Sequence, residues 1–174
     1  TKKPVFQAGA AAVDVTPTHF PVRVNGMVEE RTATMAHDVL MARSLVLDDG
    51  NERLAIVVVD SLMLTREMLD DVKEQAQQLT GIRTDHMLIS ATHAHSAPAS
   101  MGCLGTDPDP NYVPFLKEKL VEAIAAAQAK MVPALPDGDA IVANAVWLIR
   151  VARRIGVPVA AVEQYPQGLG RTVK

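Results

Sequence analysis

A β-hairpin followed by a helix and a further strand is the feature that most constrains how this chain can fold. Residues 39–47 and 53–59 are rich in β-branched residues and leucine, and the turn signal Asp48-Asp49-Gly50-Asn51 separates them. Apolar residues then recur at helical spacing over residues 64–79, and residues 85–91 again have the character of a strand. Because strands that alternate with helices favour parallel pairing, the sequence predicts an α/β fold with a mixed sheet flanked by helices.

The second strand of this hairpin predicts where a ligand would bind. Its segment Ile56-Val57-Val58-Val59 shows no polar alternation, which predicts burial on both faces of the sheet. The strands that end at Asp60 and Ala91 would bring their carboxyl ends together. Open α/β sheets bind their ligands at that edge.

The remaining segments are assigned by the same criteria. Residues 5–15 are predicted to form a first strand, and the polar residues 18–37 a long loop. Gly81 is placed to end the first helix, and Pro114 stands where a second helix can begin. Beyond the break at residues 133–136, a further helix is predicted over residues 137–155 and a strand over 157–162.

Two histidines, His93 and His95, follow the third of these strands. In an extended chain, side chains two residues apart point to the same face, so both imidazoles would face one small volume. The pair is therefore predicted to form half of a zinc site, with Thr92 and Ser96 as candidate hydrogen-bonding partners of the imidazoles. The alternatives are a pair of exposed loop residues and a hydrogen-bonded pair without metal.

The composition excludes some functions and leaves others open. The net charge of −3 and the 3% aromatic content, without a basic stripe, argue against a nucleic-acid partner. A single cysteine, Cys103, cannot form an internal disulfide, and no apolar run has the length of a transmembrane helix. No signal peptide is visible, but the chain begins at Thr1, so the compartment stays open.

Residues 7–130 resemble the N-terminal part of the neutral/alkaline (non-lysosomal) ceramidase family in the order and spacing of several motifs. These motifs are Ala8-Gly9 with Val13-Asp14-Val15-Thr16-Pro17, the stretch from His37-Asp38 through Ala42-Arg43 to Asp48-Asp49-Gly50, the strand ending at Asp60, and Thr92-His93-Ala94-His95-Ser96-Ala97-Pro98. The resemblance implies zinc-dependent hydrolysis of an amide, typically the N-acyl bond of a sphingolipid.

The same resemblance implies roles for individual residues. His93 would bind zinc, and His95, the catalytic candidate, would lie close to the reacting amide. Asp60 is a further candidate, from its position alone, for orienting one of the two imidazoles. Ala97 and Ala99 stand near positions where the family often has glycine, and their methyl groups are expected to narrow the pocket. The family's other zinc ligands, a His, a Glu and a Tyr, would lie downstream of this chain, so the chain alone is expected to be inactive.

Residues 133–173 resemble a different family, the isochorismatase-like hydrolases. The matching pieces are Pro133-Ala134-Leu135-Pro136-Asp137-Gly138, the helix with Asn144 and Leu148, Gly156-Val157-Pro158-Val159, and Glu163-Gln164-Tyr165-Pro166-Gln167-Gly168-Leu169-Gly170. That family uses an Asp, a Lys and a nucleophilic Cys. Here Ala126 occupies the Asp position, the Lys and the Cys would lie beyond Lys174, and Cys103 is no match.

The chain is therefore predicted to be composite, with an incomplete ceramidase-like catalytic domain at residues 1–130 and an isochorismatase-like helix–strand unit at 131–174. The leading function is a fragment of a zinc-dependent amide hydrolase that acts on a small-molecule or lipid amide. The alternatives are a fragment of a cysteine hydrolase and a non-catalytic composite chain. Self-association is a further expectation, because the open edges of a partial sheet favour pairing with a second chain.

Overall fold

The structure, a computed structural model, describes residues 5–133 and Arg154. A five-stranded mixed sheet of order β6-β5-β4-β1-β7 dominates these residues, and a separate two-stranded hairpin joins β2 to β3. The strands are β1 (Gln7–Asp14), β2 (Val22–Val24), β3 (Arg31–Ala33), β4 (Met41–Asp48), β5 (Arg53–Val59), β6 (Met87–Ala91) and β7 (Val132–Pro133). The helices are α1 (Arg66–Thr80) and α2 (Tyr112–Ala129). The predicted α/β class with a mixed sheet is confirmed.

The predicted hairpin is the antiparallel pair β4–β5, and its turn is closed by carboxylates. Asp48 Oδ1 accepts a hydrogen bond from the Gly50 N–H at 2.7 Å, and its other oxygen binds the Arg53 guanidinium. The Gly50 N–H and the Arg53 side chain hold the pKa of Asp48 below its usual value. The turn therefore stabilises itself with side chains from its own few residues.

The unit β5–α1–β6 brings two strand ends together, as predicted. The Thr65 hydroxyl accepts a hydrogen bond from the Met68 N–H at the start of α1, and Gly81 ends the helix in the left-handed conformation with φ of 72°. Strands β5 and β6 pair in parallel, and Val59 lies opposite Ala91 at their carboxyl ends. The segments that follow Val59 and Ala91 therefore start side by side.

Helix α2 packs across β1 and β4 and beside α1. Its start is held by Asp109, whose Oδ1 accepts hydrogen bonds from the Asn111 and Tyr112 N–H groups at 3.0 Å each. The buried Tyr112 hydroxyl donates to Val15 O at 2.9 Å, and burial raises the pKa of this phenol. The helix is therefore anchored to β1 by hydrogen bonding as well as by apolar contact.

The prediction from the sequence that β5 is buried on both faces is wrong. Val57 and Val59 are fully buried, whereas Val58 is 38% exposed and Leu54 is 39% exposed. Because α1 and α2 pack against each other and both contribute to the core on one side, the described residues cover only that side of the sheet. The apolar run is thus a strand with one buried face and one exposed face.

The single long loop predicted for residues 18–37 is also wrong, because this segment contains the β2–β3 hairpin. The hairpin is fixed to the loop that precedes α2. Arg23 O accepts from the Ala99 N–H at 2.8 Å, and the Arg23 N–H donates to Asp109 Oδ2 at 3.0 Å. These long-range bonds stabilise strands of only three residues.

The chain divides into two compact units, Thr1–Ala134 and Leu135–Lys174. The strand β7 pairs with β1 at Ala8 and Gln7, so the sheet of the first unit extends past residue 130. The helix predicted over residues 137–155 and the strand predicted over 157–162 lie outside the described residues, Arg154 excepted. Within the described part of the chain, neither helix combines the length and the apolar character that a membrane crossing requires.

Candidate active site

The two histidines lie together at the carboxyl edge of the sheet, in the loop that leaves β6. Both side chains are exposed. Their ring centroids are 4.8 Å apart, and the ring planes are nearly perpendicular at 85°. The prediction that both imidazoles face one small volume is thus confirmed, although strand alternation is not the cause. The strand ends at Ala91, and His93 has a left-handed backbone with φ of 64°, a conformation that histidine adopts more readily than most residues.

Each imidazole is oriented by a main-chain carbonyl from a different part of the fold. His93 Nδ1 lies 3.1 Å from Leu62 O, in the segment after β5, and His95 Nδ1 lies 2.9 Å from Gly26 O, in the turn of the β2–β3 hairpin. A carbonyl oxygen only accepts hydrogen bonds, so Nδ1 carries the proton in both neutral rings. Both Nε2 atoms therefore keep a free lone pair, which is the form that binds a metal ion or accepts a proton.

Hydrogen bonds join the histidine loop to the end of β5 and to the segment that follows it. The Ala94 N–H donates to Ser61 O at 3.0 Å, and the Thr92 N–H donates to Val59 O at 3.0 Å. The buried Ser61 and Ser100 hydroxyls lie 2.7 Å apart, and Ser100 Oγ donates to Met63 O at 2.6 Å. This network ties the histidine loop to the end of β5 on both sides.

Asp60 does not orient either imidazole, contrary to the expectation from sequence. Its Oδ2 accepts hydrogen bonds from the Met41 N–H at 2.9 Å and from Arg43 Nη1 at 3.0 Å. The other carboxylate at this edge, Asp14, binds the Thr16 hydroxyl and N–H, which lower its pKa. Both carboxylates therefore stabilise strand ends.

The hydroxyl and methyl groups near the histidines also differ from expectation. Within the described residues, neither the Thr92 nor the Ser96 hydroxyl makes a hydrogen bond to an imidazole. Ala97 and Ala99 are fully buried, so their methyl groups pack inside the protein. The expectation that these methyl groups narrow an open pocket is therefore wrong.

A mostly apolar cleft of about 210 Å³ opens beside the histidine loop. Its lining includes Ser96 and Pro98 from this loop together with the apolar side chains of Phe20, Met35 and Leu40. Phe20 and Met35 are also among the large apolar side chains that are exposed to solvent. An apolar part of a ligand bound at the histidines would find a complementary surface here.

Metal ligands are present only in part. His93 and His95 present suitable nitrogen atoms, but among residues 5–133 no group of three or more His, Cys, Asp or Glu side chains is positioned to hold a metal ion. A catalytic zinc site usually has three protein ligands. The described residues thus fit part of a zinc site and do not complete one.

The residues that orient the imidazoles are not predicted from the sequence. Gly26 and Leu62 act through main-chain oxygens, which every residue has, so their side chains give no direct signal. The dipeptide Asn25-Gly26 is a recognisable turn signal, and it could have indicated a hairpin in this segment. It could not have indicated that His95 binds there.

Comparison with known proteins is informative about the fold. No family model matches the sequence. The structure is similar to the crystal structure of the neutral ceramidase from Pseudomonas aeruginosa, with a TM-score of 0.67 and 21% identity over 74% of this chain. It is also similar to a solved structure described as ceramidase complexed with C2, with a TM-score of 0.64 and 22% identity over 74% of this chain. The chain spans 22% of the length of each of these proteins. The described part of the chain thus has a ceramidase-like fold.

Proposed function

We propose that this chain is part of a zinc-dependent amide hydrolase of neutral ceramidase type, with His93 as a zinc ligand and His95 as the polar group beside the reacting amide. The observation that carries the proposal is the pair of Nδ1–carbonyl hydrogen bonds, which leave two adjacent Nε2 atoms free at the ligand-binding edge of the sheet. The ceramidase-like fold supports the same assignment. The substrate would be a small-molecule or lipid amide, whose apolar part would fit the cleft beside Ser96 and Pro98.

The roles of the two histidines follow from how each is held. Zinc, when bound, would supply polarisation of the acyl carbonyl and activation of a water molecule. The bond from His93 Nδ1 to Leu62 O orients the ring and raises the basicity of Nε2, as such partners do for metal-bound histidines. His95, fixed on Gly26 O, would present Nε2 to the amide or accept a proton from a group beside it.

Zinc binding by the isolated chain is the first test. We expect the chain to bind zinc in the micromolar range in a calorimetric titration, because two oriented imidazoles form a partial site that needs little reorganisation. The variant His93→Ala should lose this heat signal. His86→Ala is the matched control, because His86 also has Nδ1 on a carbonyl, Arg53 O at 3.1 Å, but lies at the opposite end of β6. Equal loss in both variants, or no binding by the original chain, would contradict the assignment of His93.

Activity of the chain by itself is the second test. We expect no measurable hydrolysis of an N-acyl sphingosine with or without zinc, because a site with only part of its ligands does not hold a catalytic zinc tightly at neutral pH. The measurement is release of the fatty acid over a long incubation with excess zinc. Zinc-dependent turnover that disappears in His93→Ala would show that the chain is catalytically sufficient.

The zinc titration also distinguishes the proposed hydrolase from a non-catalytic chain. A non-catalytic chain predicts weak zinc binding that does not depend on His93. The isochorismatase-like assignment of residues 133–173 and the composite origin of the chain stay predictions, because those residues lie almost entirely outside the described part. The boundary between residues 130 and 131 and the self-association of the chain also stay predictions.

A further inference from the structure

We propose that Arg31 is a positioning residue that holds the His95 loop on the β2–β3 hairpin and thereby sets the orientation and tautomer of His95. The inference deepens the proposed function, on which its catalytic meaning rests. Arg31, His95 and their hydrogen-bond partners all belong to the first compact unit. It concerns a side chain that neither touches the reacting atoms nor belongs to the histidine motif.

Two hydrogen bonds join the hairpin to His95 from opposite ends of that residue. Gly26 O accepts from the side chain of His95 at 2.9 Å, and Arg31 Nη2 donates to the main-chain oxygen of His95 at 2.7 Å. The same Nη2 lies 3.4 Å from Asn25 O, the carbonyl that precedes Gly26. Arg31 thus binds the main chain of His95 and also the main chain next to Gly26, the acceptor of the His95 imidazole.

The charged guanidinium of Arg31 makes its contacts with main-chain oxygens. Within the described residues, Arg31 forms no ion pair with a carboxylate, whereas most of the other arginines there do. Its guanidinium instead binds main-chain oxygens, and a hydrogen bond from a charged donor is stronger than one from a neutral donor. An arginine placed for solubility alone would not need this geometry.

Loss of Arg31 would release one end of His95. The hairpin would stay attached through Arg23, whose main-chain oxygen accepts from the Ala99 N–H and whose N–H donates to the Asp109 carboxylate. The single bond from Nδ1 to Gly26 O would then have to fix the ring of an exposed residue in a loop. We expect the ring to sample other orientations and the second tautomer to become populated.

The test compares three variants of the full 174-residue chain by nitrogen NMR of the imidazoles at alkaline pH without metal. In the original chain, His95 should show one dominant tautomer with the proton on Nδ1. Arg31→Met should give a mixture of tautomers at His95 and leave His93 unchanged, because His93 is held by Leu62 O. Arg31→Lys should preserve more of the original signal, since its ammonium can still reach one carbonyl.

Arg23→Met is the matched control. Arg23 belongs to the same hairpin and its Nη1 also donates to a main-chain oxygen, Pro108 O at 3.2 Å. The Arg23→Met variant loses the same charge and one similar hydrogen bond as Arg31→Met, but at a site that does not include His95. A zinc titration of each variant follows. In the isolated chain both imidazoles are expected to contribute to the partial site, so Arg31→Met, which frees the His95 ring, should bind zinc about tenfold more weakly.

The outcomes separate this inference from the proposed function. A tautomer change at His95 in Arg31→Met but not in Arg23→Met supports the positioning role, even if no variant binds zinc and the proposed function fails. An unchanged His95 tautomer in folded Arg31→Met overturns the positioning role, even if the original chain binds zinc. Equal changes in Arg31→Met and Arg23→Met would also overturn it, because they would indicate general loosening of the hairpin. If Arg31→Met does not fold, Arg31→Gln takes its place in the same comparison, because the shorter, uncharged side chain also removes the charged donor at His95 O.

Discussion

Gly9→Ala should destabilise the protein by about 3 kcal/mol or more, at the upper end of the range for overpacked cores. A methyl group at this position of β1 would clash with Ala127 O in the last turn of α2 and would lie 2.9 Å from the main-chain nitrogen of Met131, just after that helix. Because no side-chain rotation removes such a clash, the end of the helix must move. This movement would disturb the bond from the Lys130 N–H to Ala127 O, which closes the helix.

Urea denaturation and thermal denaturation of Gly9→Ala, both followed by circular dichroism, measure the loss of unfolding free energy and the change in melting temperature. The melting temperature should fall by roughly 10 °C, given the usual relation for chains of this length. Gly102→Ala is the control, because a methyl group there has no neighbour closer than 3.8 Å and should leave stability almost unchanged. A Gly9→Ala protein as stable as Gly102→Ala would mean that α2 does not approach β1 this closely.

Gly26→Ala should have the second largest effect, about 3 kcal/mol of stability together with displacement of His95. The residue has φ of 91°, which a side chain disfavours, and an added methyl group would lie 2.9 Å from His95 Nδ1 and 3.1 Å from Leu62 Cδ2. Leu62 is fully buried and has little room to move. The imidazole would therefore have to leave Gly26 O, and zinc affinity should fall by about tenfold.

Gly105→Ala separates the two causes. Gly105 has φ of 88°, but a methyl group there would have no neighbour within 4 Å, so this variant carries only the backbone cost of about 1–2 kcal/mol. The excess destabilisation in Gly26→Ala then measures the contact with His95 and Leu62. If both variants lose the same stability and bind zinc equally well, the hairpin turn does not hold His95.

Much of the central fold could be predicted because its signals are local. The turn at residues 48–51 contains the carboxylates that bind its own N–H groups, and the helix α1 begins at Thr65 and ends at Gly81. The side chains that form these signals are near neighbours along the chain. The hairpin β4–β5, the helix α1 and the parallel strand β6 therefore follow from short-range pattern alone.

The assignment of burial failed where it depended on what else packs nearby. The run of residues 56–59 is equally apolar on both sides, so its composition does not tell which face a helix will cover. In the structure α1 and α2 lie on the same side, and Val58 stays exposed. The short strands β2 and β3 were missed for a related reason, since bonds to distant residues such as Asp109 stabilise them.

The candidate site also has one part that follows from local sequence and one part that depends on the tertiary structure. The sequence by itself determined that two imidazoles stand close together after a strand at the ligand-binding edge of an α/β sheet, because the histidines are two residues apart and follow the local β5–α1–β6 pattern. Only the tertiary structure decided how they are held. Their acceptors are Leu62 O and Gly26 O, 31 and 69 residues away in the chain, while Asp60, the carboxylate that follows β5, binds Arg43. Main-chain oxygens are the same in every residue, so only the folded path of the chain selects which of them meets each histidine.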